Sequence, residues 1–497
     1  MKSIDKIAFS AIAILSFTIT VLVWGTNACG EECFLIVKPQ VTKFSWQNKL
    51  ISREDRAFLL YFNRPVDRDN IESNLTIEPP LPGKISWAGN KLAYTLDRPA
   101  PYGEKYRVFL ENNQQESTAN KSQENIEPFF GQFQSRDRAF AYIGSGGKNQ
   151  GKLILYNWTK QEKTILTPDD LVVLDFEPYP QSGRILFSAV AKDQPEDMTK
   201  LQLYTVTTGL NRPLKEPFQP QIKLVLDSKK YQNNKFDLAQ DGKTIVVQRM
   251  SHANPQDFGL WIIKENKAAK PLDTEAIGDF LLTPDSQAIA VAQGEGIALL
   301  PLKADAKPID FLPKFGRVVS FSHDGTAAAM INYNKDDADL RYTKSLYYVN
   351  NQGIEKELLN IEGSIIDCQF NPMATNLYCL ITELKFSDNV TSEQATTEYR
   401  EQPYIVDIAI KTEKVTPLLA LPEYQDSKLS VAPDGLGVLF DQVLTTQVST
   451  PENSSENDPD LAIIKSRLWL LLPPSNESEA HQIEQLPLIG FRPQWLP

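Results

Sequence analysis

The chain has 497 residues, of which 41% are hydrophobic and 10% aromatic. That is the composition of a folded protein too long for one core, and the length suits two to four domains. A formal net charge of −12 argues against nucleic-acid binding, which needs a basic surface to displace counterions from phosphate, and against electrostatic docking on anionic lipid.

Lys2 and Lys6 precede an uncharged apolar run from Ile7 to Trp24, IAFSAIAILSFTITVLVW. Its eighteen residues are just long enough to cross the hydrocarbon layer as a helix. The lysines stay cytoplasmic by the positive-inside rule, which places the rest of the chain outside the cytoplasm, periplasmic or at the cell surface. Three processing routes fit: an uncleaved signal anchor, cleavage after Ala28, and lipid attachment at Cys29. Cys29 and Cys33 in CGEEC lack the spacing of redox or zinc pairs, and no second ligand pair accompanies them. The tip, anchor (7–24) and stalk fill residues 1–33.

Residues 34–113 alternate in the period-2 manner of half-buried strands: FLIVKPQVT, RAFLLYFN, LTIEP, KISWAG, KLAYTL and YRVFLEN. Pro65, Pro79, Pro80, Pro82 and Pro101 fall between these runs, where a missing N–H costs no ladder bond. The stretch resembles the bacterial Ig-like domain of surface-layer proteins. Phe62, Arg64, Pro65, Val66 and Asp67 match that family's opening, Trp87 its central strand, and Tyr102, Tyr106 and Val108 its ending. The resemblance implies a β-sandwich serving as a spacer or adhesion module, with no active site to carry over. Residues 114–127 are polar and almost free of apolar anchors, so they read as a linker.

From 128 to 497 a cassette recurs: an apolar run, a tight polar turn, a second β-branched run. The clearest copies are FDLAQDGKTIVV (236–247), FLLTPDSQAIAV (280–291), VSFSHDGTAAAM (319–330) and LSVAPDGLGVLF (429–440). Weaker copies lie at 131–142, 174–189 and 366–380. Repeats of about 40–60 residues built on strand pairs mark a β-propeller, here of seven blades. Most copies are followed by an outer strand, such as KLILYNW, LQLYTVT or RLWLLLP. The chain ends on IGFRPQWLP, an opening strand without its turn. Pro493 and Trp495 on this strand are the candidates for sealing the ring, which would remove two exposed edges.

The region resembles the TolB-type propeller, whose repeat centres on a Trp-Ser-Pro-Asp-Gly turn. Thr283-Pro284-Asp285, Ser322-His323-Asp324-Gly325 and Ala432-Pro433-Asp434-Gly435 carry it, with Trp495-Leu496-Pro497 as a truncated last copy. Asp241, Gly242, Asp285, Asp324, Gly325, Asp434 and Gly435 are accordingly read as structural turn residues. The glycine accepts positive φ and the aspartate bonds neighbouring amides. Cys368 and Cys379 flank a hairpin turn, so a cross-strand disulfide and two buried thiols are both open to them. The polar stretch 446–462 reads as a long disordered loop in the last cassette.

Chemistry-bearing motifs are incomplete. Gly146, Gly151 and Lys152 have phosphate-loop spacing, but Leu153 stands where a magnesium-holding hydroxyl is required. A glycine-rich hairpin is the better reading. In NYNKDDADLRY (332–342) Asp337 and Thr343 occupy positions where a calcium loop needs Gly and Glu. His252, His323 and His481 are far apart in sequence, and no Gly-x-Ser-x-Gly elbow occurs. No metal, cofactor or catalytic residue is therefore expected. The sequence supports a membrane-anchored, non-enzymatic scaffold whose propeller loops bind a protein or an envelope glycan. Two rivals stand beside it: a carboxylate-dependent glycan-cleaving or lyase enzyme with its site in the propeller funnel, and a purely structural envelope component.

Overall fold

The computed structural model describes Ser16 and residues 38–53, 55–111, 126–211, 218–265, 267–272, 278–294, 296–302, 310–335, 339–340, 343–386, 399–421, 427–447, 461–473 and 481–497. The chain divides into two compact units, Met1–Ser135 and Arg136–Pro497. Apart from Ser16, the expected anchor at 7–24 lies outside the described residues, as do Cys29 and Cys33. Among the described residues no helix is long and apolar enough to cross a membrane.

The first unit contains two four-stranded sheets. One takes the order Val41–Phe44, Ala57–Phe62, Lys91–Leu96, Gly83–Ala88; the other Leu50–Ile51, Phe129–Ser135, Lys105–Leu110, Leu75–Glu78. Alternation drives inward-facing Phe58, Leu60, Leu92, Tyr106, Val108, Leu110 and Phe133 into one core. The Arg-Pro-Val-Asp run leads into a short helix, Arg68–Asn74, that was not read from the sequence; Asp67 is its N-cap. Trp87 is fixed from both sides. Its indole N–H donates to Glu72 at 2.7 Å, its ring lies 5.8 Å from that of Phe62, and the Arg68 guanidinium sits 5.5 Å above it.

One boundary differs from the expected one. Residues 129–135 were assigned to the opening cassette (131–142) of a propeller region starting at 128, yet Phe129–Ser135 pairs with Lys105–Leu110 inside the first unit. The strand buries Gly131, Phe133 and Ser135. Period-2 alternation identifies a strand without naming its partner, and GQFQS is compatible with either sheet.

The second unit is all-β, with seven four-stranded antiparallel sheets among the described residues. Repetition of such sheets is the architecture of a β-propeller. Sheets two to seven are each built in chain order, with inner strands Leu171–Pro178, Tyr231–Leu238, Phe280–Leu282, Arg317–Phe321, Gly363–Phe370 and Leu429–Val431. The first sheet draws only three strands from its own segment: Ala139–Gly144, Leu153–Asn157 and Glu162–Ile165. Its inner strand is Gly490–Trp495, antiparallel to Ala139–Gly144.

Pro493 lies where the register shifts between Phe491 and Gln494, so its missing N–H falls in a bulge. Trp495 is buried, with Phe140 and Trp158 ring centroids at 5.4 and 6.1 Å and the Arg138 guanidinium at 4.4 Å. Each sheet also has a fourth, outermost strand that the sequence did not reveal, such as Lys270–Pro271 or Gln482–Gln485. Both of these examples are wholly exposed and carry no apolar alternation. In the seventh sheet the strands continue into the expected loop, pairing Gln447 with Leu461; residues 448–460 lie outside the described ones.

Candidate functional site at the inner strands

The turn residues pack sheet against sheet. Asp241 accepts from Lys243 N and Thr244 N at 2.7 and 2.9 Å, Asp324 from Thr326 N at 3.1 Å, and Asp434 from Leu436 N at 2.9 Å. Asp285 does the same for Gln287 N at 3.0 Å, and Ser286 takes the positive φ that Gly holds elsewhere. The glycines have a second constraint beyond φ. A Cβ on Gly325 would stand 3.3 Å from Pro284 of the preceding turn, and one on Gly435 3.3 Å from Pro372. Asp434 also bonds Arg138 of the first sheet at 3.0 Å, under the Trp495 ring. Each of these aspartates is engaged by the amides of its own turn.

A different set of side chains converges. Counting back four residues from the turn aspartate, or its equivalent, gives Glu177, Asp237, Leu281, Ser320, Gln369, Ser430 and, from the C-terminal strand, Gln494. An inner strand leaves alternate N–H groups unpaired along its free edge. Four side chains in this row accept such an N–H from the next sheet: Glu177 from Leu238 N (2.9 Å), Asp237 from Leu282 N (2.5 Å), Gln369 from Val431 N (3.0 Å) and Ser430 from Trp495 N (3.0 Å). After Gln494 the corresponding residue of the second sheet is Pro178, which has no N–H to cap. Leu281 offers no polar atom, and Ser320 Oγ is buried without a protein partner.

Two residues further back lies a charged row containing Asp175, Lys235, Asp279, Asp367, Lys428 and Arg492. Arg492 reaches Leu174 O at 2.9 Å and Asp175 at 3.2 Å; Lys235 pairs with Asp279. The first row misses three junctions; Arg492 covers the one from the first sheet to the second, and Arg317, displaced by the bulge in its strand, covers the other two. It meets Asp279 at 3.0 Å on one side and Ile366 O at 3.5 Å on the other. Asp441, fully buried, accepts from Lys428 N at 2.6 Å and Arg492 N at 2.7 Å. Bridges thus run from each sheet to the next, and from the seventh to the first.

The electrostatics are uneven around this row. Burial, then the adjacent Asp237 charge, pushes the Glu177 carboxyl well above the usual range, although Glu177 keeps some solvent-accessible surface. Burial also raises Asp237, to about 6, against the pull of Leu282 N–H and Lys235. Asp367 is raised by burial in spite of Lys428 and Arg317. Burial acts on Asp279 in the same sense, but Lys235 and Arg317 outweigh it and hold the carboxyl low.

Cys368 and Cys379 stand directly opposite each other in the sixth sheet, Cα atoms 4.1 Å apart and sulfurs bonded. The phosphate-loop look-alike is part of a hairpin. Lys152 is buried, donates to Pro168 O and pairs with Asp169 at 2.8 Å, and Leu153 opens a strand. Among the described residues no group of His, Cys, Asp or Glu is arranged to hold a metal ion; Asp337 lies outside them.

No protein-family model matches the chain, and no curated protein matches it. Solved structures align to the fold at low similarity. A protein described as TolB from Agrobacterium tumefaciens is 14% identical over 55% of this chain and 86% of its own, with a TM-score of 0.33. Oligogalacturonate lyase from Vibrio parahaemolyticus is 11% identical over 69% and 95%, TM-score 0.41. Prolyl oligopeptidase B from Galerina marginata is 8% identical over 71% and 52%, TM-score 0.44. At such values nothing about activity transfers.

Proposed function

We propose that this protein is a non-enzymatic interaction scaffold: a seven-bladed TolB-type propeller closed by its C-terminal strand, carried on a surface-layer-type Ig-like spacer and held in the membrane by the segment 7–24, with the folded units outside the cytoplasm. One observation carries the reading. The carboxylates gathered on the inner strands, and Asp441 on the second strand of the seventh sheet, are committed to structure, accepting backbone N–H groups of the next sheet or pairing with a base across a junction. A carboxylate engaged in this way is not free to take up substrate. Binding then falls to the loops between second and third strands, which lie at the opposite end of each sheet from the Asp-Gly turns. In the fifth, sixth and seventh sheets those loops are long, polar and acidic. A protein or an envelope glycan is the partner these loops suit.

The test is site-specific photo-cross-linking in intact cells. A photoreactive residue at Lys335, in a loop of the fifth sheet, should give a discrete adduct, and one at Thr326, in the turn at the other end, should give none. Adducts from Thr326 alone, or no adduct and no glycan retention from either, would refute the scaffold reading.

A second reading has a specific observation behind it. Glu177 is held beside Asp237 by its bond from Leu238 N–H, and both carboxyls are raised, which is the condition for a general acid near neutral pH. On that reading the protein is a glycan-cleaving or lyase enzyme. Depolymerisation of an acidic glycan that disappears in Glu177→Gln would favour it.

A further inference from the structure

We propose that the Glu177–Asp237 pair is a proton-dependent latch between the second and third sheets, closed when the pair holds a proton and weakened when it loses it. Glu177 accepts Leu238 N–H at 2.9 Å, which sets its carboxyl beside Asp237, the residue before Leu238, and Asp237 in turn accepts Leu282 N–H at 2.5 Å; each carboxyl acts on the protonation of the other. Two carboxyl groups hydrogen-bond to one another only if one is protonated. Glu177 holds that proton and donates to Asp237, so one shared proton completes a bridge across three sheets. Its removal leaves two like charges in contact within a poorly solvated junction.

The surrounding charges do not cancel this. On the second sheet Asp175 adds negative charge near Glu177, and Tyr179 is capped by Arg184. Glu265 of the third sheet lies towards Tyr179. Lys235 is committed to Asp279, Asp279 also to Arg317, and Arg492 of the first sheet to Asp175 and Leu174 O. Among the described residues no base is paired with the Glu177 carboxyl. Both folded-state pKa values lie above those of the unfolded chain, so the stabilisation is complete below about pH 4 and is lost as pH rises through about 6 and beyond. Carboxylates held low, Asp279 and Asp324 among them, lose their contribution only under more acid conditions; Asp367 and Asp407, raised by burial, act in the same direction as the latch, so the latch's share is the difference in pH slope between the parent and a variant of the pair. The inference does not depend on whether the protein is a scaffold or an enzyme.

The experiment follows the melting temperature of the full-length chain from pH 5 to 8, with hydrogen exchange at Leu238 and Leu282 corrected for the intrinsic pH dependence. The parent should lose several degrees and both amides should lose protection as pH rises. Glu177→Gln keeps an acceptor for Leu238 N–H and a permanent donor for Asp237. It should melt higher than the parent at pH 8, with a flattened pH slope and pH-independent protection of Leu282. Asp237→Asn provides the same test from the other side and serves if the first variant does not fold. Parental slopes in both variants, or amide protection that does not change with pH in the parent, would overturn the latch.

Discussion

Replacing Gly435 by Ala separates two costs that the turn glycines combine. Gly435 has φ 74°, and a Cβ there would stand 3.3 Å from Pro372 Cδ of the sixth sheet. Gly353, in the turn between third and fourth strands of the fifth sheet, has φ 77° and nothing within 4 Å of such a Cβ. Both substitutions force an L-residue into the left-handed region, at about 1–2 kcal/mol, offset by about 0.4–1 kcal/mol from the stiffer unfolded chain. Gly353→Ala should therefore cost about 1 kcal/mol. Gly435→Ala adds overpacking at the low end of the usual ~1–3 kcal/mol, because the proline ring need yield only a few tenths of an ångström. Its total is about 2 kcal/mol. Adding Pro372→Ala should recover most of the excess, giving a coupling of about 0.5–1 kcal/mol in a double-mutant cycle. Urea unfolding followed by tryptophan fluorescence measures the parent, the three single variants and the double variant. Equal costs for the two glycine variants, or zero coupling with Pro372, would refute the claim that this turn is packed against its predecessor.

Arg317→Ala removes a side chain that bridges the fourth, fifth and sixth sheets beside the charged row; it should destabilise the propeller by about 1 kcal/mol, less at high salt, as read by urea unfolding at two ionic strengths. Ser430→Ala strips the acceptor from Trp495 N–H and should cost about 1–3 kcal/mol, whereas a cost near zero would mean that this N–H needs no partner. Deleting residues 490–497 takes the inner strand from the first sheet, together with buried Trp495 and Leu496; gel filtration should show aggregate in place of monomer. Denaturing, non-reducing alkylation should leave Cys368 and Cys379 unlabelled, and changing both to Ala should cost roughly 2–3 kcal/mol; labelling at either site in the untreated protein would contradict the bond.

The residues by themselves determined the strand content, the recurrence of the cassette and the position of each Asp-Gly turn. A two-residue alternation and a positive-φ turn are local properties that survive any arrangement of the strands. Strand partnership was a different matter. Gly490–Trp495 was legible as a closing strand because it is an opening strand without its turn, but Phe129–Ser135 pairs within the first unit, and nothing in its own residues marks that choice, because hydrogen bonding between strands is fixed by which edges meet. The inner-strand rows were present as a fixed offset from the turn, yet Glu, Asp, Leu, Ser and Gln share no pattern that a sequence would flag. Only when successive sheets bring one side chain against the next strand's unpaired N–H does that offset acquire meaning, and only there do Lys235 and Arg317 hold Asp279 low while burial raises Asp237.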